Sequence, residues 1–417
     1  MRIKEVYARE ILDSRGNPTI RTTITLYDNT ISSASVPSGA STGKFEASEL
    51  RDNDKNRYGG KGVLMAISNV NNVIAPQICS CEFSQKELDS TLKAMDGTDN
   101  LKSLGANAVL SVSLAFARAS AKANGQPLFQ YLGNGAKLPV PMLNILNGGA
   151  HAANNLDIQE FMIMPVGFTK FSNALEASVS VYHNLGELLR QKGLSSTVGD
   201  EGGYAPTLKD EREAIELILD AIRLSGYNTE KDFKLALDMA ASEWRAKSGY
   251  FLPKKKTQLT SDELIEYVEK LAADYPIISV EDPLGEEDYE GFKKLTQKLG
   301  DKLQIVGDDL FVTNKSRLQD GIKEGYANAI LVKVNQIGTL TDALDAIHTA
   351  KGAAYKTIIS HRSGETADTF ISDLAVAINA GQIKTGAPCR SERVEKYNRL
   401  LKIEEILSPF SFYGDLF

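Results

Sequence analysis

The stretch from residue 235 to residue 384 contains six short apolar runs that each end in an ionisable residue. The runs are LALD (235–238), ISVE (278–281), IVGD (305–308), ILVK (330–333), IISH (358–361) and QIK (382–384). Their last residues are separated by 43, 27, 25, 28 and 23 positions, close to the length of one strand followed by one helix. Functional groups at the C-terminal ends of successive parallel strands are typical of the active site of a β/α barrel. The spacing therefore predicts a barrel whose site lies at that end of the strands.

Length and composition are consistent with a barrel and indicate the class of protein. A chain of 417 residues is too long for one ordinary core but suits a barrel of about 250 residues plus a smaller domain. Its 42% hydrophobic and 24% charged residues are typical of globular proteins. The net charge of −7 argues against a basic nucleic-acid-binding surface.

Three further observations predict a cytoplasmic protein. The cysteines Cys79, Cys81 and Cys389 form neither a zinc ligand set nor a disulfide framework, which favours a reducing compartment. The N-terminal residues lack the apolar core of a signal peptide. The most apolar stretch, 106–121, is short and contains Arg118, so no membrane span is expected.

The first part of the chain has the pattern of a small α+β domain. Residues 19–26 alternate between apolar and polar side chains, as in antiparallel strands, and Asp28-Asn29 supplies a turn. From 63 to 130 the apolar period becomes helical. The segment GNGAKLPVP (133–141) has the glycines and prolines of a domain junction. We therefore expect an N-terminal domain over 1–132 and a barrel domain over 140–417.

The predicted barrel begins irregularly. Two strand-like runs, 142–146 and 161–166, precede two helical patterns at 172–192 and 211–225, and the six runs described above follow. Helical patterns such as 262–273 separate those runs. Two early strands plus six make eight, enough to close a barrel. The predicted fold is a modified barrel of the order ββαα(βα)6.

The residue types at the strand ends indicate a metal site that faces a cationic base. Asp238, Glu281 and Asp308 are hard oxygen ligands suited to Mg²⁺. Taken singly, each is better explained as a cap of the next helix. Together with Lys333 and Lys384 they form a cluster of charges that burial would penalise unless a metal or substrate compensated it.

Lys333 is a candidate general base because it lies in the otherwise apolar run ILVKV. Burial lowers the pKa of an ammonium group, which would make the amine usable near neutral pH. The alternative is a lysine that extends to solvent or pairs with an acid at a neighbouring strand end.

Two segments carry candidate anion-binding and acid groups. In SHRSGET (360–366), Arg362 and Ser363 suit a phosphate or carboxylate, although a surface arginine and a helix cap explain them equally well. Glu160 and Glu201 would form a general acid if they met, because paired carboxylates hold a proton more tightly on one member. Gln159 adjoins Glu160, so both can face one site only if the chain bends or bulges there.

Two glycine-rich loops remain. SGASTGKF (38–45) lacks the glycine spacing of a Walker phosphate loop and has Phe45 where Ser or Thr should follow the lysine. NGGAH (147–151) has the small residues of a mobile lid with His151 at its tip, and an ordinary turn is the alternative.

Taken together, these segments resemble the enolases of bacterial type, which are magnesium-dependent 2-phosphoglycerate hydro-lyases. The resemblance covers nearly the whole chain. It is carried by AREILDSRGNPT, VPSGASTG, RYGGKGV, LGANAVLSVSLA, VGDEGGYAP, EDP, VGDDLFVTN, LVKVNQIGTL, SHRSGET and IKTGAPCRSERVEKYN. It implies conversion of 2-phosphoglycerate to phosphoenolpyruvate with two Mg²⁺ per active site, the second bound with substrate.

The resemblance also implies a role for each matched residue. Asp238, Glu281 and Asp308 would hold one Mg²⁺, and Ser41 would bind the second when its loop closes. Lys333 would remove the C2 proton, and Glu201, backed by Glu160, would protonate the leaving hydroxyl. The remaining pocket residues would be Arg362 and Ser363 for the phosphate, Lys384 for the carboxylate, and Gln159, His151 and His361. The lid differs from the family pattern, since Ala150 and Ala153 replace a serine and a glycine.

Three expectations concern partners and alternatives. The resemblance implies a homodimer, or an octamer of dimers, that needs no nucleic acid. Another enolase-superfamily enzyme that acts on a different carboxylic acid is the nearest alternative, and Arg362, Ser363 and the SGASTG loop argue against it. A further alternative is an additional role at the cell surface, in plasminogen binding, or as a scaffold in an RNA degradosome.

Overall fold

A small antiparallel sheet opens the fold. The computed structural model of the protein describes residues 1–39 and 43–414. The sheet contains β1 (Ile3–Leu12), β2 (Pro18–Leu26) and β3 (Ile31–Ser35), with β2 in the middle. The predicted turn at Asp28-Asn29 joins β2 to β3. The helical segments that follow are Leu64–Ser68, Asn69–Ile74, Ala75–Ile78, Gln85–Asp96, Ala106–Ala123 and Leu128–Leu132.

The helix Ala106–Ala123 is the core of this domain. Its alanines and leucines are strong helix formers, and nearly all its side chains are buried, as expected for a helix that is apolar on every side. It packs against β2 and β3, where the hydroxyls of Thr22 and Ser111 lie 2.6 Å apart. In the described ranges, no helix combines the length and the apolar character required to cross a bilayer.

Eight strands close a barrel, as predicted. In chain order they are β4 (Val140–Asn147), β5 (Glu160–Pro165), β6 (Phe233–Asp238), β7 (Ile277–Glu281), β8 (Gln304–Gly307), β9 (Ala329–Val332), β10 (Lys356–Ser360) and β11 (Gly381–Lys384). β5 runs antiparallel to both β4 and β6, and every other neighbouring pair is parallel, including β11 with β4. The predicted ββαα(βα)6 order is therefore confirmed.

Helices surround the barrel and follow its strands. They are Phe171–Gln191, Glu211–Leu224, Ser261–Asp274, Tyr289–Leu299, Lys315–Glu324, Val334–Ile337, Leu340–Gly352, Phe370–Ala377 and Ser391–Leu407. Several begin at side-chain caps: Asp210 accepts from the backbone N–H of Glu213, and Thr260 forms a capping box with Glu263. Two short two-stranded sheets pair Lys137–Leu138 with Phe412–Tyr413 and Tyr250–Leu252 with Thr257–Leu259.

Strand alternation places the ionisable residues above an apolar layer inside the barrel. The members of that layer are Val140, Met142, Met162, Met164, Ala236, Val306, Ala329, Leu331 and Ile358. Asp238, Asp308 and Lys333 each lie two positions beyond a member of this layer, so they share its inward side. Since β5 runs in the opposite direction, Glu160 at its start reaches the same end of the barrel.

We propose that the domain boundary lies within 133–139, as expected from the sequence. Gly133 and Gly135 in this segment pack too tightly against the helix Phe370–Ala377 to accept a side chain. A Cβ atom on Gly135 would lie 1.8 Å from the carbonyl oxygen of Val376. The glycines are therefore required by close backbone contact.

A reciprocal amide pair inside the barrel generates a stability prediction. Gln304 and Gln382 are buried, and each donates from Nε2 to the Oε1 of the other at 2.9 and 2.7 Å. Gln304→Met removes the partner of Gln382, and Gln382→Met leaves Gln304 bound only to Ser279 Oγ, so each change should lower the free energy of unfolding by about 1–3 kcal/mol. The double variant should lose clearly less than the sum of the two. Urea unfolding of the three variants measures this coupling, and additive losses would contradict it.

Candidate active site

A cavity opens at the C-terminal end of the barrel strands. Its described lining comprises Gly39, Glu46, His151, Gln159, Glu160, Glu201, Asp238, Ala240, Glu243, Asp282, Asp308, Asp309, Lys333, Ser360, His361, Arg362, Ser363 and Lys384. Eleven of the thirteen site residues predicted from the sequence are in this set. Glu281 lies immediately behind it, in contact with Lys384. Ser41 lies outside the described residues.

Lys384 is the centre of the buried charge cluster. Its Nζ lies 3.0 Å from Asp238 Oδ2, 2.8 Å from Glu281 Oε2 and 3.1 Å from Glu160 Oε2. Burial alone would lower the pKa of Lys384, but the three carboxylates outweigh burial and raise it well above its usual value. The cluster therefore contains a permanent cation.

Lys333 forms a second ion pair, with Asp308. Gln336 also binds Asp308, by donating to Oδ1 at 2.9 Å. The expectation that the pKa of Lys333 lies below its usual value is wrong for this arrangement. Burial does act to lower the pKa, but the adjacent Asp308 carboxylate outweighs it, and the pKa is raised.

Asp282 joins two strand ends beside this pair. Its carboxylate accepts the backbone N–H groups of Asp308 at 3.0 Å and Asp309 at 2.8 Å. Burial and the charges on these neighbours raise its pKa well above the usual range. Burial and Asp308 likewise raise the pKa of Asp309 to about 7.

The donor set suits a divalent cation. Among the described residues, two groups have ligand atoms that all lie within 4.8 Å of one another. One group is Asp282, Asp308 and Asp309, and the other is His151, Glu160 and Glu201. The predicted ligands Asp238 and Glu281 instead share the ammonium of Lys384. The mouth holds more carboxylates than cations, and such an excess of buried negative charge is what Mg²⁺ compensates.

Glu160 and Glu201 come together, which the sequence alone could not show. Their ligand atoms and those of His151 lie within 4.8 Å of one another. Burial and the charge of Glu201 raise the pKa of Glu160 well above its usual value. Burial acts to raise the pKa of Glu201 too, but electrostatic and hydrogen-bonding contacts with His361 and His151, 3.4 and 3.9 Å from its Oε1, outweigh burial and hold that pKa well below the usual range. The two shifts run in opposite directions, so Glu160 binds a proton more tightly than Glu201 does.

The chain bends just before Glu160, so Gln159 and Glu160 both reach the cavity. The bend falls at 157–158, and β5 begins only at Glu160. Gln159 donates from its backbone N–H to the carbonyl of Asp238 at 3.0 Å. The paired strand β4 also has a register shift between Asn144 and Leu146. These irregularities turn adjacent residues toward one site.

His361 follows the end of β10 and is fully buried. Its Nε2 lies 3.4 Å from Glu201 Oε1, and its Nδ1 lies 2.6 Å from the guanidinium of Arg393. Burial lowers the pKa of His361 to about 4, and the Arg393 charge also lowers it, so the ring is neutral at pH 7.

Arg362 holds an internal anion. Its guanidinium binds both carboxylate oxygens of Glu46, at 2.9 and 3.2 Å, and both side chains are nearly fully buried. Gly43 donates its backbone N–H to the same carboxylate at 3.0 Å. Glu46 therefore occupies the position that an anionic ligand of Arg362 would take.

The segment around Glu46 is attached to the barrel by further contacts. Lys44 binds Glu287 at 3.0 Å, and the guanidinium of Arg317 lies 3.9 Å from the centre of the Phe45 ring. Lys44 is thus directed at a surface carboxylate and not at a phosphate site, in line with the absence of a Walker pattern.

The NGGAH loop forms a short 3-10 turn over Gly149–His151. A Cβ atom on Gly148 would lie 2.3 Å from the carbonyl oxygen of Ile158, so this glycine permits a close backbone approach. The turn places His151 3.6 Å from Glu160 Oε1.

Two family models match the chain. One, described as "Enolase, N-terminal domain", matches residues 3–132, and the other, described as "Enolase, C-terminal TIM barrel domain", matches residues 135–415. The chain belongs to the enolase family. Enolase domains imply a hydro-lyase that acts on a small-molecule substrate, and enolases generally depend on Mg²⁺.

Several residues of this enolase-family site were not found from the sequence. Asn144, which donates to Glu201 Oε2 at 3.0 Å, was detectable as a polar residue inside the apolar run 140–146. Gln336 lies in the motif LVKVNQIGTL, but no role was assigned to it. Asp282 and Arg393 lie in the segments EDP and IKTGAPCRSERVEKYN, but no role was assigned to them. Glu46 gave no signal, because it is a charged residue in a polar segment that sequence alone cannot distinguish from surface.

The depressed pKa of His361 predicts a pH-dependent contribution to stability. Between about pH 6.5 and 4, the unfolded chain binds a proton at His361 and the folded protein does not. The stabilising contribution is therefore complete above about pH 6.5 and is lost as pH falls to about 4, by roughly 3 kcal/mol. Urea unfolding, followed by the fluorescence of the single tryptophan, Trp244, measures this loss. The His361→Asn variant should lack this component, and equal pH slopes in both proteins would contradict the assignment.

Proposed function

We propose that the protein catalyses the reversible dehydration of 2-phosphoglycerate to phosphoenolpyruvate (EC 4.2.1.11), in glycolysis and gluconeogenesis. The observation that carries the proposal is that one cavity brings together a buried lysine, two neighbouring carboxylates and an arginine that binds a carboxylate. These are Lys333, Glu160 with Glu201, and Arg362. Removal of a proton, loss of hydroxide and binding of a phosphate need these three kinds of group.

Asp238, Glu281 and Asp308 would hold one Mg²⁺, and Ser41 would contribute to a second. When bound, the two ions supply Lewis-acid stabilisation of the aci-carboxylate charge that develops on the substrate. Lys384 would add positive charge at the same position, since its ammonium lies among Asp238, Glu281 and Glu160. It would bind the substrate carboxylate.

Lys333 would remove the C2 proton. Its pairing with Asp308 favours the protonated form, which is the wrong form for a base. If Asp308 held a metal ion, its charge would stabilise the ammonium less, and burial together with Arg362 and Lys384 would favour the neutral amine. Asp308 would thus link the metal site to the basicity of Lys333.

Glu201 would donate the proton that departs with the C3 hydroxyl as water. The opposite shifts of the two pKa values favour Glu160 as the member of the pair that holds a proton. Transfer of that proton from Glu160 to Glu201 would convert Glu201 to the acid form before the hydroxyl leaves. His151, Gln159 and His361 would complete the pocket around the leaving group.

Arg362 and Ser363 would bind the substrate phosphate. Because Glu46 occupies the guanidinium, the phosphate would have to displace this carboxylate from Arg362. Lid closure around the displaced segment would exclude water from the charged site.

We further propose a cytoplasmic homodimer. The enolase-family match supports this assembly, and native mass spectrometry of the purified chain distinguishes it from a monomer or an octamer of dimers.

The base assignment is tested with Lys333→Ala. General-base catalysis contributes roughly 10²–10⁴-fold, so kcat should fall by at least that factor, and exchange of the C2 proton with solvent should cease. Mg²⁺ should still bind, as measured by calorimetry, since Lys333 is not a ligand, and loss of the ammonium that pairs with Asp308 should raise the affinity. The exposed Lys302→Ala serves as the control. Retained exchange in Lys333→Ala would reassign the base, and absence of turnover in the unaltered protein with Mg²⁺ and 2-phosphoglycerate would reject the function.

The internal anion is tested with Glu46→Gln. A neutral amide binds the guanidinium less strongly than a carboxylate does, so the substrate phosphate should meet less competition and KM should fall by roughly tenfold. Glu287→Gln removes a carboxylate that holds the same segment through Lys44 but does not touch Arg362, and it should leave KM unchanged. An unchanged or higher KM in Glu46→Gln would show that Glu46 does not compete with substrate.

A further inference from the structure

Arg393 lies on the helix Ser391–Leu407, outside the lining of the cavity, and is fully buried. Its NH1 group lies 2.6 Å from His361 Nδ1 and donates to the carbonyl of Arg362 at 2.6 Å. Its NH2 group donates to the carbonyls of Asp200 at 3.1 Å and Ser363 at 2.6 Å. One guanidinium thus connects His361 with the segments that carry the acid pair and the anion-binding residues.

A guanidinium has donors and no acceptor. His361 Nδ1 must therefore accept, which a neutral imidazole can do only when its proton is on Nε2. Nε2 is the nitrogen that faces Glu201 Oε1, at 3.4 Å. A protonated ring would place two N–H donors against each other at Nδ1, so the same contact disfavours the imidazolium.

We propose that Arg393 is a positioning residue that fixes His361 as the neutral Nε2–H tautomer and so directs a proton donor at Glu201. In the opposite tautomer, a ring lone pair would face the ionised Glu201 carboxylate and repel it. Arg393 touches neither substrate nor metal ligands and acts only through His361 and the three carbonyls. The catalytic consequence rests on the role proposed for Glu201; the tautomer does not.

The arginine is suited to this task by its shape. Its planar guanidinium binds four acceptors from two segments at once, whereas a lysine ammonium is a point charge with three donors. The low pKa of His361 agrees with a ring that is held neutral by burial and by an adjacent cation.

Lys396 provides a matched control on the same helix. It is also fully buried, and its Nζ binds Glu365 Oε2 at 2.7 Å and the carbonyls of Thr366 and Glu392 at 2.6 and 2.7 Å. Lys396→Met therefore removes a buried cation of the same helix without removing the donor to His361.

The test is ¹⁵N NMR of the histidine rings in the full chain at pH 7, in which long-range couplings show the nitrogen that carries the proton. The chain has four histidines, so His361 is assigned by the loss of its signals in His361→Asn. We expect Nε2–H in the unaltered protein and in Lys396→Met, and a mixture of tautomers in Arg393→Met. A wild-type ring protonated on Nδ1 would overturn the proposal even if Arg393→Met failed to fold. A pure Nε2–H ring in folded Arg393→Met would overturn the role of Arg393.

Kinetics then separate positioning from general support of the fold. Loss of a partner that orients a functional histidine typically costs about 10–100-fold, and we expect a loss of this size in kcat for Arg393→Met with a smaller change in KM. Arg393→Lys restores one donor to Nδ1 and should recover part of kcat. Equal losses in Arg393→Met and Lys396→Met, or a loss confined to KM, would contradict positioning. Because the NMR result needs no substrate, failure of the 2-phosphoglycerate assay alone would reject the proposed function and leave the tautomer assignment standing.

Discussion

The buried ammonium of Lys384, surrounded by three carboxylates, is the interaction on which the barrel mouth depends. Asp238, Glu281 and Glu160 come from three different strands and would repel one another without a cation between them. Removal of one partner from such a cluster leaves buried charge uncompensated, which is far more costly than the loss of a surface pair. Holding these like charges close together lowers the stability of the barrel. A ligand that neutralises charge at this position would therefore bind and stabilise the fold at the same time.

Two segments outside the barrel strands complete this arrangement. The N-terminal domain inserts Glu46 beside Arg362, and the last long helix of the chain inserts Arg393 behind His361. Both contacts join residues far apart in the chain, and both determine whether a functional group is available: Glu46 occupies an anion-binding group, and Arg393 determines which histidine nitrogen carries the proton. The site is thus built from the barrel strands, the N-terminal domain and the last long helix. Residues outside the strand ends set its protonation states.

Much of the fold was predictable because apolar periodicity is a local signal. The helix predicted over 211–225 is Glu211–Leu224, and the strand predicted over 142–146 lies within Val140–Asn147. The irregular ββαα start followed from the order of these patterns. Buried charged residues were the weak point, since a sequence window around Glu46 or Arg393 has the composition of solvent-exposed surface. Their burial is a consequence of packing between distant segments.

The sequence by itself determined which chemical groups stand at the barrel mouth, because side chains alternate along a strand and a strand end fixes the residue that faces inward. Only the tertiary structure decided what each group does there. It paired Lys333 with Asp308, which reversed the direction expected for the lysine pKa, and it brought Glu160 and Glu201 together so that they share a proton. The physical reason is that a pKa and a tautomer depend on the charges and donors within a few ångströms of a group, and in this fold those neighbours come from segments far apart in the chain.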